Sequence, residues 1–332
     1  MTVGSEQLSQ EFHGEKSAGA KGERVLVTGY PYWAGVAAGL LRRSGLEAAV
    51  WRTAPDDVPA VLRWNRTLRW AFHFLRPSFR AARALHVAGA TASTTLLWLV
   101  HRLGKRIILH WVGSDVLQLQ RSAAGDGKRL RFCRKVAAAH FADSPELVAE
   151  LAEMGIRAEV FRLLPETVEP RDVPMPEKPA VLSYWSPERR TFYGGEIVDA
   201  LADEFADVTF YIVGSDGAGE PQHPNMRYLC RLESLEEVYR DVSVLIRMPE
   251  HDSLSAMVLE MLGRGRWVIY NKPFPHTELA TNLAEARKAL WRCLSQPGKN
   301  EAGQAYVREH FSPQAEAERI APMYRCLLTG KE

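Results

Sequence analysis

Asp252 and Glu260 stand eight positions apart, on either side of a small-residue turn, Ser253 to Ala256. The run Asp-Ser-Leu-Ser-Ala-Met-Val-Leu-Glu reads as an acid, a turn, the start of a helix over Ala256 to Gly263, and a second acid one turn in. Arg266 to Tyr270 then reads as a buried strand. The first amides of such a helix lack internal partners, and its dipole favours an anion there. A carboxylate on each flank can accept hydroxyls of a sugar or a ribose. An anion flanked by hydroxyls describes a nucleotide-diphosphate sugar. Taken singly, Asp252 equally reads as an N-cap and Glu260 as a solvated helix residue.

The stretch from Asp252 to Glu260, with the Met-Leu-Gly-Arg-Gly-Arg-Trp-Val-Ile that follows it, resembles the E-x7-E segment of the retaining glycosyltransferases of family 4, which have the GT-B fold. The family pattern runs acid, Gly-rich turn, apolar residue, then Leu-Glu-Ala-Met-Ala-x-Gly-x-Pro-Val-Ile. This chain has Asp where the family has its first Glu, and Ser253 and Ser255 stand where glycines are usual. The resemblance implies an α/β protein of two Rossmann-like doubly wound domains facing across a cleft. It further implies that Glu260 binds the donor ribose and Asp252 the sugar hydroxyls, with Ser253, Leu254 and Ser255 against the donor at the helix start.

Such residues need elements to hold them. At 332 residues the chain has room for about two domains of roughly 150 residues each. Hydrophobic content of 46% and charged content of 25% are those of an ordinary globular protein, and a net charge of +2 selects no partner. Cys133, Cys230, Cys293 and Cys326 show no paired spacing, which argues against a zinc site or a disulfide framework and suits a reducing cytoplasm. Met1 to Gly22 is polar without an apolar core, so it reads as a disordered tail and not a signal peptide. The most apolar window, Val87 to Val100, is too short for a bilayer, which needs about 20 residues. The expected organisation is a tail over 1–22, a first domain over 23–170, a second over 171–310, and a helix over 311–332 returning to the first.

Arg24 to Thr28 reads as a buried strand, followed by Gly29, a loop over Tyr30 to Gly35 and an apolar helix. Strand, glycine-bearing loop and helix open a doubly wound sheet, whose ligands sit at the carboxyl ends of the strands. The loop is not a G-x-G-x-x-G fingerprint, so no dinucleotide is implied. In the family this loop approaches the donor phosphates and the acceptor, which puts Gly29 near the donor. From Val58 to Ser114 there is no Asp or Glu. Within that stretch Arg63, Arg66, Arg69, His73, Arg76, Arg80 and Arg83 recur at helical spacing beside an apolar stripe, with Trp70 as an exposed candidate. A helix of this kind suits an anionic membrane, an anionic acceptor such as a lipid-linked phosphate, or merely a solvated face. No basic stripe continues elsewhere, so nucleic acid is not expected. His110 falls at the carboxyl end of the strand Arg106 to His110, and the family carries a histidine there that faces the donor sugar. Asp115, in the loop beyond it, reads also as a helix cap.

Pro165, Pro170, Pro174, Pro176 and Pro179 mark a linker. The second domain opens on the strand Ala180 to Tyr184, and the loop Trp185 to Gly195 leads into a helix. The family has an Arg and a Lys in this loop, both neutralising the donor diphosphate. Here the Lys is missing, and Arg189 and Arg190 are the substitutes, guanidinium forks being suited to phosphate oxygens. Taken alone they read as two surface arginines. Val208 to Val213 ends at Gly214, like the family's Ile-Val-Gly-x-Gly, and Gly214 is assigned to the donor. No two Asp lie two positions apart, so an Asp-x-Asp metal motif is absent and arginines with helix amides are expected to replace a metal. The reading is a cytoplasmic glycosyltransferase that needs no cofactor beyond its nucleotide-sugar co-substrate. Its acceptor is left open between sugar, polysaccharide and lipid-linked molecules, with peripheral membrane contact as one use of the basic helix. Two rivals share the fold: a nucleotide-sugar epimerase, and a non-catalytic sugar-nucleotide-binding subunit. Asp252, Glu260, Arg189 and His110 are expected to converge on one crevice.

Overall fold

Runs such as Val25-Leu26-Val27 and Ile107-Ile108-Leu109 are almost wholly buried. That marks strands of a parallel sheet covered on both faces. The computed structural model describes residues 24–52, 72–90, 93–296 and 298–330; the 1–22 tail and Arg63, Arg66, Arg69 and Trp70 lie outside these described residues. The first sheet contains β1 (Arg24–Gly29), β2 (Glu47–Val50), β3 (Ala84–Ala88), β4 (Arg106–Trp111), β5 (Ala137–Ala142) and β6 (Glu159–Val160). They are parallel, in the order β2-β1-β3-β4-β5-β6. One face packs on the helices Pro31–Arg43 and Pro313–Thr329, the other on Thr94–Arg102, Ser114–Ala124, Lys128–Val136 and Pro145–Glu153.

The second sheet repeats the plan with β7 (Ala180–Tyr184), β8 (Thr209–Val213), β9 (Met226–Tyr228), β10 (Val244–Arg247), β11 (Trp267–Tyr270) and β12 (Glu278–Leu279). Their order is β12-β11-β10-β7-β8-β9, again all parallel. The helices Ala256–Gly263 and Glu301–His310 pack on one face, Gly195–Glu204 and Leu283–Ser295 on the other. In helix Ala256–Gly263, Ser255 caps the start by accepting the Val258 amide, and residues 258–263 are buried. The helix Pro313–Thr329 places Ala317, Ile320, Tyr324 and Leu328 in the core of the first domain. Burying each of the larger ones stabilises by about 1.5–3 kcal/mol, which ties the chain end to the first domain.

This topology decides where a site forms. In the first sheet the winding reverses between β1 and β3, and in the second between β7 and β10. Loops leaving the carboxyl ends of those strands diverge and leave a crevice. The segments concerned are 29–30, 89–90, 185–194 and 248–255.

Candidate functional site

The first-domain wall is built on backbone. Gly29 has φ +120°, and a Cβ there would lie 1.9 Å from the Ala88 carbonyl oxygen, so only glycine lets β1 turn this close to β3. The Tyr30 amide then donates to Ala88 O at 2.9 Å, and its ring covers Gly89. After β4, the fully buried Asp115 accepts the amides of Ala90 (3.0 Å), Val112 (3.1 Å) and Val116 (3.1 Å). It therefore knits the loops after β3 and β4 together instead of capping its helix from outside. Burial raises the Asp115 carboxyl, and those amides oppose the rise.

The second-domain wall supplies the cations. The loop after β7 folds into two 3-10 turns, Pro187–Arg189 and Thr191–Tyr193. Arg189 lies 4.0 Å from the centre of the Phe192 ring and 5.3 Å from that of Tyr193, and has no carboxylate partner among the described residues. It acts across the cleft. Burial raises the Tyr30 phenol of the first domain, Asp115 adds to the rise, and Ser114, Arg189 and Arg129 oppose it. Arg190 does not join it. Its guanidinium pairs with Glu196 at 3.0 Å, with Asp199, and with Glu220 at 3.6 Å. Arg190 was expected at the diphosphate; here its charge is met by carboxylates of its own domain.

A cation that sequence reasoning missed stands at the end of β10. Arg247 Nε donates to Asp252 Oδ2 at 2.6 Å and Nη2 to Oδ1 at 3.0 Å, while Tyr270 Oη donates to Oδ2 at 2.9 Å. The guanidinium lies 5.5 Å from the Tyr193 ring centre, and its Nη1 has no hydrogen bond within the described residues and is not sealed from solvent. Burial works against the Arg247 charge, but Asp252 outweighs it and raises the pKa. The Asp252 carboxylate, with three of its roughly four acceptor positions filled, is turned to Arg247 and not open to sugar hydroxyls as expected. The signal was present in sequence: a lone arginine ends the otherwise apolar strand Val-Leu-Ile-Arg.

The other expected residues scatter. His110 is 0% exposed, its Nδ1 3.1 Å from His86 Nε2, and His86 Nδ1 in turn 2.7 Å from Tyr324 Oη. Burial, with His86 adding, pulls its pKa well below the ordinary histidine value, so it is a neutral core residue and does not face the cleft. Facing the second domain instead is the Val112 carbonyl, which accepts Ser253 Oγ at 3.0 Å. His251 Nε2 meets Glu150 at 3.0 Å nearby, a second link between the domains. Leu254 packs on the second core and Ser255 is a helix cap, so neither side chain is presented to a donor. Gly214 (φ +98°) fits under the Trp185 carbonyl and donates its amide to Cys230 O at 2.7 Å, a packing role. Glu260, 7% exposed, accepts the Thr167 hydroxyl and, at 2.5 Å, the Tyr239 hydroxyl; burial raises its carboxyl. Thr167 belongs to the linker, so Glu260 lies at that end of the seam, near Tyr32, whose phenol is raised by burial first and by Glu260 second. Arg189 and Arg247 thus come together beside Tyr193, with Asp252 behind Arg247; His110, Arg190 and Glu260 stand apart.

No family model and no curated protein matches this chain. Solved structures do match. HepE from Anabaena, in complex with UDP and glucose, superposes with a TM-score of 0.67 at 11% identity over 91% of this chain and 99% of its own. Sucrose-phosphate synthase from Thermosynechococcus elongatus gives 0.69 at 14% identity over 93% and 100%. A glycosyltransferase from Rickettsia africae gives 0.59 at 11% identity over 93% and 100%. These likenesses establish the fold: two Rossmann-like domains in the GT-B arrangement.

Proposed function

We propose that the chain transfers a glycosyl group from a nucleotide-diphosphate sugar to an acceptor hydroxyl, with Arg189 and Arg247 holding the diphosphate between the domains. The observation that carries this reading is the pair of guanidiniums beside Tyr193, one without a carboxylate and one held open by Asp252, at the switch point of the second sheet. When the bond to the leaving diphosphate breaks, negative charge grows on its oxygens. Cations fixed in advance at that point lower the barrier without rearranging, and that is the largest effect available to such a site. Asp252 and Tyr270 fix Arg247; Phe192 and Tyr193 fix Arg189. The arginines do this without a metal ion. Glu260 takes the ribose only when the donor displaces the Thr167 hydroxyl. The acceptor enters over Tyr30 and Gly113, and retention of configuration rests on the resemblance to family 4.

HepE is described with UDP-glucose, so that is the first donor to try. A melting panel with UDP-, GDP- and ADP-sugars tests the reading, since a ligand at 100 times its dissociation constant stabilises by about 2.7 kcal/mol. The bound donor then goes into an acceptor panel with mass detection of glycosylated product. One observation favours the second reading, a non-catalytic sugar-nucleotide-binding subunit: neither His110 nor Asp252 offers a free group to the sugar. Donor binding with neither transfer nor slow hydrolysis supports that reading; donor turned into an isomeric nucleotide sugar supports the epimerase.

A further inference from the structure

The end of the first domain away from the cleft carries a cluster of cations that, among the described residues, lack carboxylate partners. On the second domain Arg171, Arg287, Arg292 and Lys299 each pair with a carboxylate. At the amino-terminal edge of the first sheet, Arg80, Arg102, Lys105, Arg106 and Lys135 pair with none among the described residues. The sequence explains the contrast, because no Asp or Glu occurs from Val58 to Ser114. The patch is continuous. Lys105 Nζ donates to Arg80 O at 2.9 Å and lies 5.4 Å from the Phe79 ring centre, which binds the turn before β4 to the helix Pro77–Ala81. A cavity of about 260 Å³ beside it is lined by His101, Lys105, Arg106 and Lys135, with no acid.

Large apolar side chains stand among these cations. Leu103 is 52% exposed and Trp98 50%, with the Arg102 guanidinium 5.9 Å from the Trp98 ring centre. Isolated exposed leucines need no explanation, but here Trp98 and Leu103 stand together at the end of the helix Thr94–Arg102 that carries Arg102 into the basic cluster. We propose that this end of the first domain docks on an anionic phospholipid bilayer. The cavity takes a phosphate headgroup, while Trp98 and Leu103 enter the interfacial layer, where an amphipathic indole beside a cation is favoured. Charge excludes a second copy of the same patch, since two unpaired cationic surfaces repel. Exposed apolar side chains favour a bilayer over a nucleic acid, whose phosphate backbone gives Leu103 nothing to bury against. Docking here leaves the cleft, at the opposite end of the sheet, open to small molecules.

Vesicle flotation of the full chain tests this, with phosphatidylcholine alone against phosphatidylcholine mixed with phosphatidylglycerol. The protein is expected to float with the anionic vesicles only, and 1 M salt, which screens charges beyond about 3 Å, to release it. The triple variant Arg102→Glu, Arg106→Glu, Lys135→Glu is expected to partition at least on the order of a hundredfold more weakly. Trp98→Ala with Leu103→Ser should weaken binding while leaving its salt dependence. Circular dichroism and the melting midpoint check that each variant folds; if the triple variant does not, the apolar pair and the salt series decide. Three results overturn the proposal: no flotation of the wild-type chain, undiminished flotation of the folded triple variant, or equally tight binding to a random DNA duplex, which makes the patch a general polyanion surface.

Discussion

The two domains share a topology and treat most of their buried ionisable groups differently. In the first, His86, His110 and Asp143 go into the core neutral, and only at its edge is the buried Glu316 paired, with Arg319 and Arg162. Burial pulls His86 down to about 3 and His110 well below its usual value, and lifts the Asp143 carboxyl well above. In the second, charges go in paired. Arg247 is clamped by Asp252; Arg190 sits among Glu196, Asp199 and Glu220; the fully buried Arg264 reaches Glu236 and two carbonyls. Neutralising a buried group is cheaper than pairing it, because both partners of an ion pair must leave water. The second domain therefore bears a cost that the first largely avoids. At Arg247 the cost falls beside the cleft, where a fixed cation has a use. The contrast teaches a division of labour: the first domain gives a wall whose shape does not change with pH, and the second gives the field.

The largest effect that sharpens this contrast is expected at Arg247. Arg247→Ala leaves the half-buried Asp252 with Tyr270 but without its cation, which should cost about 2–3 kcal/mol in urea unfolding. The double variant Arg247→Met, Asp252→Leu should recover most of that stability and none of the donor affinity. If the single variant loses less than about 1 kcal/mol, as for a surface pair, the second domain does not rely on buried pairs.

Arg189 and Arg190 are neighbours with opposite duties. Arg189→Ala should leave the melting midpoint unchanged and weaken donor binding about tenfold to a hundredfold, the loss of one charge-assisted contact. Arg190→Ala should lower the midpoint and spare donor affinity. Calorimetric titration of both with the same nucleotide decides, and equal losses of affinity would erase the distinction.

That distinction was not legible in the sequence, and the reason is physical. The two parallel sheets largely were, because parallel strands covered on both faces read as apolar runs between glycines, and the helix Ala256–Gly263 was read to its bounds from the small-residue turn before it and the apolar run within it. The helix Lys128–Val136 was not, since Lys-Arg-Leu-Arg-Phe-Cys-Arg-Lys-Val buries only Cys133 and Val136 and lacks an apolar stripe. Side-chain direction failed for the same reason that the strands were easy. A strand buried on both faces has no polar alternation, so nothing in Ile-Ile-Leu-His-Trp says that His110 points at His86 and Phe161. Arg189 and Arg190 differ through Glu196, Asp199 and Glu220, which reach one and not the other by folding. Arg247 was hidden by being read as strand.

Acid tests the neutral core. The His86 pKa is about 3 in the fold against 6.5 when unfolded, so on acidification the unfolded chain takes up the proton first. Stability from this group is complete above pH 6.5 and is lost as pH falls toward 3. Between pH 6.5 and 5 His86 alone should remove about 2 kcal/mol. Urea midpoints of wild type and His86→Asn across that range measure it, and parallel curves would show that the histidine is not held neutral.

The smallest effect bears on the seam where the two styles meet. Ser253 Oγ donates to the Val112 carbonyl, a neutral bond, and His251 meets Glu150, which is ionic when the histidine is charged. Ser253→Ala leaves a carbonyl at the cleft rim that water can still reach, so its expected cost is about 0.5–1 kcal/mol, independent of salt. Glu150→Gln should cost about as little, but that cost should shrink as salt rises, because a partly exposed ion pair is screened. Hydrogen exchange at the amides of Val112 and Gly113 reads both variants directly. Faster exchange in Ser253→Ala alone makes the neutral contact the one that holds the first wall to the second; faster exchange in Glu150→Gln alone gives that task to charge.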